Sequence, residues 1–166
     1  KGLELAKVKR IAEKTIKNTR SMGMSLTPYT IPAAGKPSFE IGEDEMEIGL
    51  GIHGEPGTHK EKIKTANEIT QHLLDKILKD MELNSGDQVA VMVNGLGGTP
   101  LMELYIVNRE VHNILEEKNI KVYKTLVGNY MTSLEMAGAS ITLLKLDDEL
   151  KELLDSKADT PALRQL

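Results

Sequence analysis

Val89-Ala90-Val91-Met92-Val93, followed by Asn94-Gly95-Leu96-Gly97-Gly98-Thr99-Pro100, decides the architecture of this chain. A short continuous apolar run bounded by turn residues is the mark of a strand covered on both faces. The glycines then turn the chain, Thr99 is placed to N-cap a helix, and Pro100 suits its first position, where a missing N–H costs nothing. That helix runs to about residue 118. Downstream, a strand at 120–128, an irregular stretch at 129–137, a strand at 139–146 and a helix at 147–155 follow, with a loosely docked tail at 156–166. Upstream, Ser85-Gly86-Asp87 ends a helix over 61–82, whose stripe is Ile63, Ala66, Ile69, Leu73, Ile77 and Met81. Further back, Met46, Ile48, Leu50 and Ile52 alternate with Glu47, Gly49, Gly51 and His53, a strand over 46–53. Residues 24–42, rich in Pro and Gly, can form only short extended pieces and turns, and 3–21 read as a helix stopped by Gly23. Helices alternating with strands give an α/β fold. The expectation is one α/β domain over 1–166, two layers thick, with a mixed β-sheet and helices mainly on one face.

The 166 residues are enough for one core, and roughly two-thirds of the unfolded surface should be buried. A hydrophobic share of 40% with 28% charged residues excludes a disordered or low-complexity chain. Cysteine is absent, which removes disulfides, thiolate metal sites and a Cys nucleophile. A net charge of −4, with no Trp and one Phe, argues against nucleic acid. No apolar run nears the roughly 20 residues of a membrane span, so the cytoplasm is expected. The start at Lys1 rather than Met reads as a piece of a longer chain.

His53 is the first candidate for chemistry. It is odd-numbered on a strand whose apolar face is even-numbered, and it stands at the strand's C-terminal end before Gly54-Glu55-Pro56-Gly57. In open α/β sheets ligands gather beyond the carboxyl ends of strands. Gly49, Gly51 and Gly54 keep the backbone around it accessible. The pattern alone favours a plain surface histidine at a strand end. Gly95 to Thr99 suits either an anion at a helix start or simply a tight turn. No Walker A motif is present, since Gly35-Lys36 is followed by Pro37, so ATP binding by this chain is not expected. His53 and His59 could share a metal, but no third ligand stands at a recognisable spacing, and no metal site is expected. His72 and His112 fall within helices as solvated or packed side chains. Glu43-Asp44-Glu45 and Glu47 read as a turn and a wet strand face, and the methionines as core filler.

Gly51-Ile52-His53-Gly54-Glu55-Pro56-Gly57 resembles a segment in the C-terminal half of the substrate-binding K subunit of dihydroxyacetone (glycerone) kinase. The same order of motifs continues through Asn18 to Gly23, Thr30 to Pro37, Asn94 to Gly97, Thr99-Pro100-Leu101, Glu103-Leu104-Tyr105, Thr132-Ser133-Leu134, Ser140 to Leu144 and Thr160 to Leu163. The resemblance implies that a ring nitrogen of His53 adds to the ketone carbonyl of dihydroxyacetone, giving a hemiaminal that holds the substrate for phosphorylation. It also implies a phosphotransferase of glycerol metabolism whose acid/base residues lie on an N-terminal domain outside these residues, so this chain alone should be inactive. The phosphoryl donor, ATP or ADP-phosphate with Mg, is expected on a partner, the nucleotide-binding L subunit, and the subunit itself as a homodimer. The ending soon after Thr160 to Leu163 favours a stand-alone K subunit of the bacterial phosphotransferase-linked system. The alternatives are a non-catalytic paralogue that binds dihydroxyacetone as a sensor or co-activator and, ranked last, a lipid-binding protein of related architecture.

Overall fold

The computed structural model describes residues 2–53, 55–161 and 163–165. Gly54 and Ala162, which enter the readings above, lie outside them, as does Lys1. The order is α1 (Leu5–Lys17), β1 (Thr19–Ser25), β2 (Glu45–Ile48), β3 (His59–Lys62), α2 (Ala66–Asp80), β4 (Gln88–Gly95), α3 (Leu101–Glu117), β5 (Lys121–Gly128), β6 (Gly138–Leu146), α4 (Asp148–Leu154), β7 (Ala158–Asp159) and β8 (Arg164–Gln165). A six-stranded sheet runs β3-β2-β1-β6-β4-β5. Only β4 and β5, joined by α3, are parallel in it; its other pairs are antiparallel. The expected mixed α/β sheet is therefore present.

Side chains alternate across a strand, so each strand has a helix side and an opposite side. Val89, Val91 and Val93 of β4, with Ile141 and Leu143 of β6, pack against Leu73, Leu74 and Ile77 of α2 and Leu104 and Val111 of α3. Met92, Ser140 and Thr142 fall on the other side and remain half-buried. α4 meets β6 and is tied to α1 by Arg10 and Lys14, which both reach Glu149, at 2.5 and 2.8 Å.

Several expectations need correcting. The helix over 3–21 ends at Lys17, and Ile16 is 72% exposed. Asn18 donates its side-chain amide to the Lys14 carbonyl, and the next seven residues pair with β6, from Thr19 opposite Leu144 to Ser25 opposite Gly138. The ladder outweighs a local sequence with little strand character. The strand over 46–53 stops at Ile48, because Gly49 takes φ +79° and leaves the ladder. The helix over 61–82 begins at Ala66. Thr65 accepts from the Glu68 N–H while the Glu68 carboxylate accepts from the Thr65 N–H, and the residues before it form β3 on the sheet edge. Thr99 does not cap α3, whose N-cap is Pro100; its hydroxyl instead donates to the Gly138 carbonyl and accepts from the Gly138 N–H. Glu47 is not on a wet face. It is 7% exposed and accepts from the Gly57 N–H at 2.7 Å. The tail is docked: β7 pairs with β8, and Gln165 donates to the Leu154 and Ser156 carbonyls.

Candidate active site

The loop after β2 carries His53. The N–H of Gly49 donates to the Gly23 carbonyl at 2.7 Å, and the N–H of Gly51 donates to the Glu55 carbonyl, which folds Glu55 back over residue 53. The Glu55 carboxylate then grips His53 twice. Oε2 accepts from its backbone N–H at 2.9 Å, and Oε1 lies 3.1 Å from its ring Nδ1. The Tyr29 hydroxyl donates to the His53 carbonyl at 2.8 Å. Glu55 is held below the usual carboxylate range by its own backbone N–H first, then by the N–H and ring of His53. An ionised carboxylate only accepts, so Nδ1 carries a proton, and in the neutral ring the lone pair is then on Nε2. The ring is 79% exposed. The ring nitrogen not held by Glu55 therefore faces outward from the loop that follows β2.

Beside it, on the sheet side away from α2 and α3, lies a cavity of about 220 Å³. Gly49 to Ile52, the residues leading to His53, form one wall, and Ser21, Asn94, Ser140 and Thr142 supply polar groups on the sheet. The ring of His53 stands outside this wall, adjacent to Ile52. The volume is below the roughly 300–1,000 Å³ of drug-sized sites and suits a molecule of a few carbons. Asn94, 2% exposed, builds the floor. Its Oδ1 accepts from the N–H groups of Tyr130 and Met131, both at 2.8 Å, and its Nδ2 donates to the Met131 carbonyl at 2.7 Å.

The glycine-rich segment after β4 is a turn. Leu96 and Gly98 spend their N–H groups on the carbonyls of Gly138 and Met136. A Cβ at Gly97 would sit 1.8 Å from the Leu134 carbonyl oxygen, so close backbone contact explains that glycine. His112 is packed, with Nε2 3.1 Å from the Thr125 hydroxyl. His59 lies not with His53 but with Glu61 and His72. Sequence reasoning missed Tyr29 and Asn94. Nothing local marks Tyr29, whereas a polar residue ending an apolar strand was a usable signal for Asn94. Among the described residues, no helix is long and apolar enough to cross a membrane.

Residues 1–162 match the profile described as the Dak1 domain. The chain belongs to the Dak1 family. This Dak1 chain is 50% identical over 161 residues to the "PTS-dependent dihydroxyacetone kinase 2, dihydroxyacetone-binding subunit DhaK" of Listeria innocua, covering 97% of itself and 49% of that protein. It superposes on the "Dihydroxyacetone kinase operon co-activator Dha-DhaQ" with a TM-score of 0.87 and 33% identity, over 94% of this chain and 49% of that one. Against the dihydroxyacetone kinase from C. freundii in complex with AMP-PNP and Mg2+, the TM-score is 0.82 with 28% identity, over 99% of this chain and 30% of that one. The Dak1 chain thus spans about half the length of the curated subunits it matches.

Proposed function

We propose that this Dak1 chain is the ketone-capturing half of a dihydroxyacetone-binding kinase subunit, and that His53 forms a hemiaminal with the substrate. The observation that carries this is the Glu55-oriented ring of His53 next to Ile52, whose loop walls a small cavity that Ser21, Asn94, Ser140 and Thr142 also line. The Nε2 lone pair adds to the ketone carbon, the carbonyl π pair moves to oxygen, and the ring becomes a cation while Glu55 faces Nδ1. The Nδ1 proton then leaves and the alkoxide takes one from solvent, so the adduct is neutral. An alcohol carbon cannot accept the lone pair, so the bond selects a ketone over glycerol, a sharper distinction than hydrogen bonds alone provide. Capture also fixes a terminal hydroxyl for attack on phosphorus, which is catalysis by positioning. The phosphoryl donor, with Mg, belongs to a separate L subunit in this reading, and the intact subunit works in the cytoplasm as a homodimer.

The test is a crystal of the full-length protein soaked with dihydroxyacetone. Continuous density from His53 Nε2 to the ketone carbon is expected. A fully occupied ketose unattached to His53 would refute the reading.

The likeness to the dihydroxyacetone kinase operon co-activator favours one second reading, a ketone sensor without kinase activity. Full-length protein mixed with L subunit and phosphoryl donor separates the two: dihydroxyacetone phosphate forms only if the subunit is catalytic.

A further inference from the structure

His59, Glu61 and His72 lie on the other side of the β2–β3 hairpin from any role described so far. We propose that they hold a divalent transition-metal ion of the zinc class, which fastens the edge strand β3 to α2.

Alternation along β3 puts residues 59 and 61 on one side of the strand, and α2 brings His72 to them. Glu61 Oε1 is 4.0 Å from His59 Nε2 and 3.8 Å from His72 Nδ1, and the three ligand atoms all lie within 4.8 Å of one another. With metal–ligand bonds of roughly 2.0–2.2 Å, tetrahedral ligand atoms stand roughly 3.4 Å apart. Small side-chain rotations close that difference.

The protonation pattern points the same way. The Thr58 hydroxyl donates its one proton to the Ile48 carbonyl at 3.1 Å, yet lies 3.0 Å from His59 Nδ1. With that proton on the carbonyl the hydroxyl accepts from Nδ1, and in this tautomer of the neutral ring the Nε2 lone pair faces Glu61. Metal-ligating imidazoles are commonly oriented by an acceptor on their other ring N–H, the place that the Thr58 hydroxyl takes here. Glu61 gives one oxygen to Lys64, and its other, Oε1, is buried without a hydrogen-bond partner. His72 Nε2 is likewise buried without a partner. The partnerless carboxylate oxygen of Glu61 thus faces His59 Nε2 and His72 Nδ1, and no hydrogen bond among the described residues satisfies it.

Two imidazoles and one carboxylate suit zinc and leave a fourth position for water. Calcium and magnesium prefer all-oxygen ligands. Lys64 opposes a cation here, but Glu68, Asp75 and Glu110 line the adjoining cleft and outnumber it.

The test titrates chelator-treated full-length protein with Zn2+ against a chromophoric competitor. One equivalent should bind, and His59→Gln and His72→Gln should each weaken it at least tenfold. Thr58→Val should weaken it several-fold, and His112→Gln should leave it unchanged. Cobalt should give the visible absorption of a four-coordinate ion. Where His72→Gln disturbs α2, the half-exposed His59 decides: a His59→Gln variant that binds zinc as the wild type does overturns the proposal, as does sub-stoichiometric binding by wild type.

Discussion

Replacing Asn94 by Ala should loosen the floor of the cavity more than any surface change nearby. The side chain is buried and serves three backbone groups: the N–H groups of Tyr130 and Met131 and the carbonyl of Met131. Alanine satisfies none of them, and the segment that follows β5 has no regular ladder to replace the bonds. At a net value of about 1 kcal/mol per bond, the loss is about 3 kcal/mol. In a chain of this size each kcal/mol moves the melting temperature by roughly 2–4 °C, so a fall of roughly 6–12 °C is expected. Asn94→Asp should not restore it, because a carboxylate oxygen would then face the Met131 carbonyl. Thermal unfolding measures the shift, and amide exchange at Tyr130 and Met131 should rise in the variant. A melting temperature within about 2 °C of wild type, with both amides still protected, would refute the claim that Asn94 holds this segment.

Gly51→Ala should disturb the site without disturbing the fold, since a Cβ there would lie 2.1 Å from Glu55 Oε2 and push the carboxylate off His53. Calorimetry on the full-length protein should show ketone affinity down several-fold with little change in melting temperature; unchanged affinity would separate Glu55 from capture. Glu149 is pulled from 4.5 to about 2, chiefly by its hydrogen bond to Arg10. A carboxyl depressed in the folded state stabilises above its unfolded value and loses that contribution as pH falls. The urea midpoints of wild type and Glu149→Gln should therefore differ at pH 6 and converge between pH 4.5 and 2. Magnesium-ATP should show no micromolar binding to this chain, because its one candidate phosphate loop spends N–H groups on Gly138 and Met136; a calorimetric dissociation constant in that range would overturn the assignment.

Much of the fold was legible where packing and pattern agree. The apolar run of β4 and the helix after it declare their environment directly, and β5, β6 and α4 lie within a residue or two of their expected bounds. β1 was not legible, since Thr19-Arg20-Ser21-Met22-Gly23-Met24-Ser25 has no alternation and is a strand because β6 stands beside it. β3, His-Lys-Glu-Lys, is an edge strand with no apolar face, and its proximity to the period of α2 disguised it as helix. Without that strand, the i, i+2 relation of His59 and Glu61 could not be seen. That His53 stands in a glycine-rich loop was legible, but the partner of its ring was not, because that depends on where Glu55 folds.

The seven-residue ladder between β1 and β6 also has a consequence in time. Ser21 and Thr142, whose hydroxyls meet at 2.7 Å, are 121 residues apart in the chain. At translation rates of roughly 5–20 residues per second, β1 leaves the ribosome roughly 6–24 s before its main partner exists. Throughout that interval β1 and the β2–β3 hairpin form at most a ribbon with one unpaired side. A vigorous β-former at residues 19–25 would be free to pair with a neighbouring nascent chain. The Arg, Gly and Ser residues that hide β1 from sequence inspection also make it a poor partner for anything except β6, the last strand of its sheet to arrive.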